Sequence, residues 1–352
     1  MNKYPSINGL RAISILFVIA HHLQIMDGVF NNLLQYQWLI PFVYFLADDY
    51  LGVNVFFVIS SFLITSLLVE EEKQEGTISL KNFYIRRTLR IFPAYYFLLL
   101  VYFVLQLFGI IHLNGFSWLT SITYTKYINW WQDWFTAHAW SLSVEEQFYL
   151  LWPLLFLCGE KVRKNGAWVL MFVAPCFRLY SHYYPLSWMN EMTLFTRVDA
   201  IAIGCLIALY KDKILELLSP HFGKVFLFSL LGLFLLSNLP NINNRLNLKL
   251  DFIFVPIAYT YGTMANVFIG AILLYSVFGA KKIWFKVLNS KIFNFIGMLS
   301  YSIYLWQQLF LSNLNHWTTG FPQNLTFIFV AALLSFYCIE KPFLVLKEKF
   351  RN

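Results

Sequence analysis

Charge is what this sequence has least of. Asp, Glu, Lys and Arg make up 12% of the 352 residues, about half the roughly 25% of an ordinary soluble domain. Hydrophobic residues make up 59% and aromatic residues 20%. That much apolar surface could not be kept from water, so a soluble globular protein is excluded and a bilayer is the natural solvent. Cysteine is also scarce. Cys158, Cys176, Cys205 and Cys338 all lie in or at the end of apolar runs, without a CxxC pair, which argues against disulfides and a zinc site; no metal is expected. The first apolar stretch ends in Ala20-His21-His22 with no small-x-small cleavage site, so it is expected to be a retained span rather than a removed signal peptide. No internal repeat and no low-complexity tract is present.

What the sequence does have is ten apolar runs, at roughly 7–26, 51–69, 92–111, 140–158, 166–184, 194–210, 222–238, 257–279, 292–311 and 322–345. Each is about the 20 residues a spanning helix needs, and too little chain is left over for a separate globular domain. The expected fold is all-α: one polytopic integral membrane domain over residues 1–352, of about ten transmembrane helices. With the N-terminus inside, 21 of the 26 lysines and arginines fall in inside segments, three outside and two (Arg178, Arg197) within spans. This alternation predicts that both termini are cytoplasmic, in the cell (inner) membrane. The net charge of +8 is then mostly topological, and no nucleic-acid module is evident. The two longest outside connections cover about 27–50 and 112–139. The second carries Trp118, Trp130, Trp131 and Trp134, which suit either a belt at the headgroups or a platform for sugar rings.

Several polar constellations interrupt this apolar background. Arg11 and His22 are eleven residues apart, three helical turns plus 20°, so they share a face about 16 Å apart along the axis, whereas His21 is turned about 80° away. Intramembrane ionisable groups are functional hypotheses by default, although a topology anchor and an interhelical hydrogen bond would also explain this pair. Arg86, Arg90 and Arg87 fall at 0°, 40° and 100° on a helix, an arc suited to phosphate oxygens or, more simply, to anionic lipid. Glu145 and Glu146 stand at the start of an apolar run, as helix-dipole partners or as the lining of a polar cavity, with Ser141 on the face of Glu145. Arg197 and Asp199 are 200° apart and each needs a partner on another helix, or water.

In this order the segments resemble the acyltransferase family 3 membrane proteins, which O-acylate carbohydrates and other surface molecules. The matching residues are Gly9-Leu10-Arg11-Ala12 with His22, the R-x10-H pattern; Gly52 to Ile64 (GVNVFFVISSFLI); Arg86-Arg87-x-x-Arg90-x-x-Pro93; Trp140 to Tyr149 (WSLSVEEQFY); Arg197-Val198-Asp199-Ala200; Ser300 to Trp306 (SYSIYLW); and Glu340-Lys341-Pro342-Phe343. The match runs nearly end to end. Asn54 stands where the family often has Asp, Ser61 where it usually has Gly, and Gln307 where a His commonly follows. The hydrolase-like extracellular domain that some members carry is not expected here.

The resemblance implies an acyl-CoA donor, most simply acetyl-CoA, entering from the cytoplasm with Arg86, Arg87 and Arg90 near its phosphates and Arg11 in the same cavity. The pantetheine arm would run toward His22, whose neutral imidazole would take the proton of an acceptor hydroxyl as it attacks the thioester. Glu145 would orient that imidazole or another cavity group, with Ser141, Glu146, Arg197 and Asp199 lining the substrate cavity or bracing it. The acceptor would be a carbohydrate or glycolipid, and envelope-assembly proteins are conceivable partners. Two other readings compete: a transporter of a small solute and a non-catalytic scaffold. A transporter has no evident need for RRxxR in register with R-x10-H.

Overall fold

The computed structural model describes residues 4–184, 192–246, 251–314 and 316–350, and among them every regular element is helical. The long helices are α1 (Ile7–Asp27), α2 (Asp49–Glu75), α3 (Leu80–Leu107), α4 (Ala139–Leu157), α5 (Glu160–Tyr183), α6 (Leu194–Leu209), α7 (Phe222–Leu246), α8 (Asp251–Leu274), α9 (Lys291–Phe310) and α10 (Gln323–Ser335). The chain continues from α10 through a π-helical turn at Phe336–Glu340 into Lys341–Lys347. Helical chain therefore lies along most of each of the ten apolar runs, the last of them divided among three helical segments. Six stretches, within Ile7–Asp27, Ile40–Glu75, Leu80–Leu107, Lys211–Leu239, Tyr261–Gly279 and Gln323–Phe350, are long and apolar enough to cross a membrane, which makes this a multi-pass membrane protein. Lys3, Lys249 and Arg351, counted in the charge alternation, lie outside the described residues.

Helix α3 starts twelve residues before its apolar run. Ser79 caps it, accepting the Asn82 amide at 3.3 Å, and the extension from Leu80 brings all three arginines of the RRxxR segment onto regular helix. Helix α4 begins at Ala139, so Glu145 and Glu146 lie about two turns inside it. The expectation that they could act as first-turn dipole partners is therefore corrected, because a helix terminus acts only on its first turn.

The chain divides into two compact units. One comprises Met1–Glu70, Glu160–Leu186 and Phe195–Met298. In it α1 and α2 run antiparallel, with Ser14 Oγ donating to the Gly52 carbonyl and His21 Nδ1 lying 2.7 Å from the Ala47 carbonyl. Helices α2 and α6 run parallel. The Arg197 guanidinium lies 4.5 Å from the Tyr50 ring centroid, and two to three turns further along both helices Gly204 meets Val58 and Ser61. Helix α8 runs with them, since Thr263 bonds Asp199 and Gly270 faces Ile203 and Ile207. Small residues at such crossings let backbones approach where no hydrophobic effect drives association.

The second unit comprises Glu71–Gly159, Ser187–Leu194 and Leu299–Asn352. Its connection between α3 and α4 is folded. Asn114 caps the short helix Gly115–Ile122 by accepting the Ser117 amide at 2.7 Å, and Asn129 accepts Thr120 Oγ1 at 2.7 Å. The Lys126 ammonium pairs with Asp133, and both side chains are almost wholly buried. Asp133 also accepts the Thr136 amide and hydroxyl, each at 2.7 Å. Burial opposes the charge on this carboxylate, but the hydrogen bond and charge of Lys126 outweigh it and hold its pKa below the ordinary carboxylate value.

Candidate functional site

Arg11 and His22 both lie on α1, and both are half-buried. The two neighbouring histidines are distinguished by their settings. His21 is fixed to the Ala47 carbonyl, while the His22 ring lies edge-on to it at 5.5 Å. The bond to Ala47 gives His21 a place in the packing of α1 on α2.

The three arginines at the start of α3 have separate surroundings. Arg86 donates from Nη2 to Glu71 Oε2 and from Nη1 to the Phe350 carbonyl, both at 2.9 Å. Glu71 in turn accepts the Ser79 amide at 2.8 Å, so Arg86 helps to close the turn between α2 and α3. Arg87 lies 5.6 Å from the Phe83 ring centroid and 5.5 Å from that of Tyr149, a cation–π setting, and its Nε is buried without a hydrogen-bond partner. Arg90 is half-buried. Lys347, from the segment after α10, lies within electrostatic reach of all three. The cluster keeps the concentration of positive charge that an anion requires, and Arg87 and Arg90 are its members not committed to Glu71.

On α4, Ser141 Oγ lies 2.6 Å from the Tyr304 hydroxyl, and that hydroxyl donates to the His138 carbonyl at 2.8 Å. Ser141 is thus part of the α4–α9 packing. Glu146 lies within electrostatic reach of Arg87, Tyr124 and Tyr301, and its Oε1 is buried with no hydrogen-bond partner. Glu146 is thus connected electrostatically to Arg87 of the arginine cluster. Gln307, where the resemblance often places a His, is fully buried with both polar atoms of its amide unpartnered.

Asp199 finds its cation on another helix. It accepts Arg178 Nη2 at 2.8 Å and the Thr263 hydroxyl at 2.6 Å, while Arg178 also donates to the Thr196 carbonyl at 2.7 Å. Arg197 instead lies over Tyr50. Arg178, Thr263 and Tyr50 carried no motif in the sequence, and the only signal was an arginine within an apolar run. Among the tryptophans, Trp118 donates to Gln106 at 3.1 Å and Trp134 to the Leu311 carbonyl at 2.6 Å, whereas Trp131 is exposed. Among the described residues no group of three or more His, Cys, Asp or Glu side chains could hold a metal ion.

A family model described as an acyltransferase domain matches residues 4–339. The peptidoglycan O-acetyltransferase OatA of Listeria monocytogenes is 27% identical over 392 residues, covering 99% of this chain and 57% of that protein. A Staphylococcus aureus (strain COL) protein provisionally named an O-acetyltransferase is 29% identical over 384 residues, covering 97% of this chain and 58% of its own length. The O-acetyltransferase OatA of S. aureus strain NCTC 8325 is 31% identical over 228 residues, or 58% of this chain and 34% of that protein. The chain thus spans a little over half the length of the first two relatives. No solved structure matches it. With the R-x10-H helix, the arginine-led α3 and the paired carboxylates of α4 in one multi-pass helical chain, and a family match from residue 4 to residue 339, the protein belongs to acyltransferase family 3.

Proposed function

We propose that this protein is an O-acetyltransferase of the cell (inner) membrane. It moves an acetyl group from cytoplasmic acetyl-CoA to a hydroxyl of a carbohydrate or glycolipid destined for the cell surface. The observation that carries this reading is the family match over nearly the whole chain, joined to Arg11 and His22 on one face of a membrane helix. In this account ten helices cross the bilayer and both termini are cytoplasmic, which puts the arginines of α3 on the donor's side. Arg87 and Arg90 bind the phosphates of CoA by charge-assisted hydrogen bonds. Arg11, on α1, is assigned to the same donor from the R-x10-H pattern. Arg86 braces the turn that presents the other two.

The acceptor hydroxyl attacks the thioester carbonyl while His22 takes its proton; the tetrahedral intermediate collapses to the ester and releases the CoA thiolate, which is reprotonated. Glu145 orients a cavity group and Glu146 holds Arg87 in place, while Ser141, Arg197 and Asp199 brace the cavity. Separation from bulk water limits hydrolysis of the thioester. The glycan acceptor is supported by the name of the Listeria relative, a peptidoglycan O-acetyltransferase.

Comparing His22→Ala with His21→Ala at matched expression tests the base. A positioned general base contributes about 10² to 10⁴ in rate, so His22→Ala should lose that much turnover while still binding acetyl-CoA. His21→Ala should keep turnover and lose stability, because it removes the bond to Ala47. Near-normal transfer by His22→Ala would refute the assignment.

A further inference from the structure

Three buried polar atoms of the second unit, Arg87 Nε, Glu146 Oε1 and the Tyr124 hydroxyl, have no hydrogen-bond partner. They differ in kind: the guanidinium donates, a carboxyl oxygen accepts, and the phenol does both. Arg87 of α3 lies 5.5 Å from the Tyr149 ring centroid, and Glu146 stands one turn before Tyr149 on the same face of α4. The next residue, Gln147, donates to the Tyr124 carbonyl at 3.4 Å. The Tyr124 ring stacks on Phe92 at 5.4 Å and lies 4.7 Å from that of Tyr95, five and eight residues after Arg87, or about 8–12 Å along α3. Glu146 thus stands between Arg87 and Tyr124, within electrostatic reach of both. Arg87, Phe92 and Glu146 are half-buried rather than sealed in the core. Leaving such atoms unmet is unfavourable for folding and calls for a ligand or ordered water.

An anion would set acceptor against acceptor at Glu146, an ammonium would set donor against donor at Arg87, and an alkyl chain would leave all three atoms unmet. What answers them is an uncharged group that donates to the carboxyl and accepts from the guanidinium and the phenol, such as a hydroxyl beside an amide carbonyl. Its place is as telling as its chemistry. Arg87 belongs to the cationic cluster with Arg86, Arg90 and Lys347, so the group follows directly on an anionic one in the same ligand. In coenzyme A the pantoyl unit answers this description, with a hydroxyl and an amide carbonyl on neighbouring carbons a few bonds beyond the diphosphate.

We propose that Glu146 accepts the hydroxyl of the donor's pantoyl unit and that Tyr124 donates to its amide carbonyl, directly beyond the phosphates held by Arg87 and Arg90. This rests on the donor reading above. Each of the two contacts should contribute about tenfold in affinity, a typical hydrogen bond.

The test is binding of acetyl-CoA and of adenosine 3′,5′-bisphosphate, which lacks the pantoyl unit, to the full chain in nanodiscs. Tyr124→Phe, which keeps the ring stacked on Phe92, and Glu146→Ala should each bind acetyl-CoA about tenfold more weakly and bind the bisphosphate as the unaltered protein does. Glu146→Gln keeps an accepting oxygen and should recover most of the loss. If Glu146→Ala fails to fold, Tyr124→Phe decides alone. Equal losses for both ligands in Glu146→Ala, not recovered by Gln, would show that Glu146 acts only by holding Arg87, and would overturn the proposal. If the unaltered protein binds acetyl-CoA and every variant matches it, the subsite is wrong and the donor reading stands. If the unaltered protein does not bind acetyl-CoA, both fall. A change confined to the acceptor KM would assign these groups to acceptor hydroxyls and likewise overturn the proposal.

Discussion

A methyl group at position 204 would lie 2.0 Å from Ser61 Oγ and 2.4 Å from the Val58 carbonyl oxygen. Ser61 occupies a place where the family usually has Gly. Its hydroxyl is accommodated because it donates to the Phe57 carbonyl at 2.7 Å and because the opposing helix carries no side chain. Gly204→Ala should therefore destabilise the protein by about 1–3 kcal/mol, the usual cost of overpacking. Adding Ser61→Gly should restore only part of this, since the Val58 carbonyl stays in the way; thermal unfolding in detergent measures both. The arginines of α3 also divide at this scale. Arg90→Ala should weaken acetyl-CoA binding roughly 10- to 150-fold, the value of one charge-assisted contact of about 1.5–3 kcal/mol, with little loss of stability. Arg86→Ala should lower the unfolding temperature first, through the loss of Glu71 and the Phe350 carbonyl. Equal effects of the two on binding and on stability would contradict this division.

At the scale of elements, the connection between α3 and α4 depends on one buried ion pair. Asp133 has a lowered pKa in the fold, so its stabilising effect is fully present above the ordinary carboxylate value, about 3.9. It is lost as pH falls through the lower folded-state value. Amide exchange over residues 117–136 should stay slow down to about pH 4 and accelerate below it. Asp133→Asn should accelerate it already at pH 7, because a buried Lys126 left unpaired costs about 3–5 kcal/mol. Exchange insensitive to both changes would show that the pair does not hold the connection.

This pair also marks a boundary of what sequence could show. The all-helical, multi-pass character was legible because length and apolarity are summed over many residues, although among the described residues six stretches rather than ten prove long and apolar enough to cross a membrane, and the Arg11–His22 relation because both lie on one helix. Lys126 read as an outside charge, and its burial depends on a turn that brings Asp133 back seven residues later. Asp199 required a partner on another helix, but nothing in the spacing singled out Arg178. Glu71 drew no notice because its link to Arg86 depends on the turn between α2 and α3. The start of α4 was placed correctly to within a residue, yet its carboxylates sit too deep for a helix-terminus role. Partners within one helix could be read from angles, and partners across helices needed coordinates.

For the whole molecule, the account joins a donor side to an acceptor side. Under the function proposed above, the arginines of α3 would meet an acyl-CoA donor at the cytoplasmic face, His22 would act as the base, and the acceptor would be a surface glycan or its lipid-linked precursor. The most direct test uses sealed proteoliposomes with the protein in one orientation and acetyl-CoA labelled in its acetyl group. Labelled ester should form on a glycan acceptor when the donor is supplied at the face bearing the RRxxR segment, with one CoA released per ester. It should not form when the donor is supplied only at the opposite face. Donor consumption at the opposite face alone, or solute uptake with no donor consumed, would contradict the account.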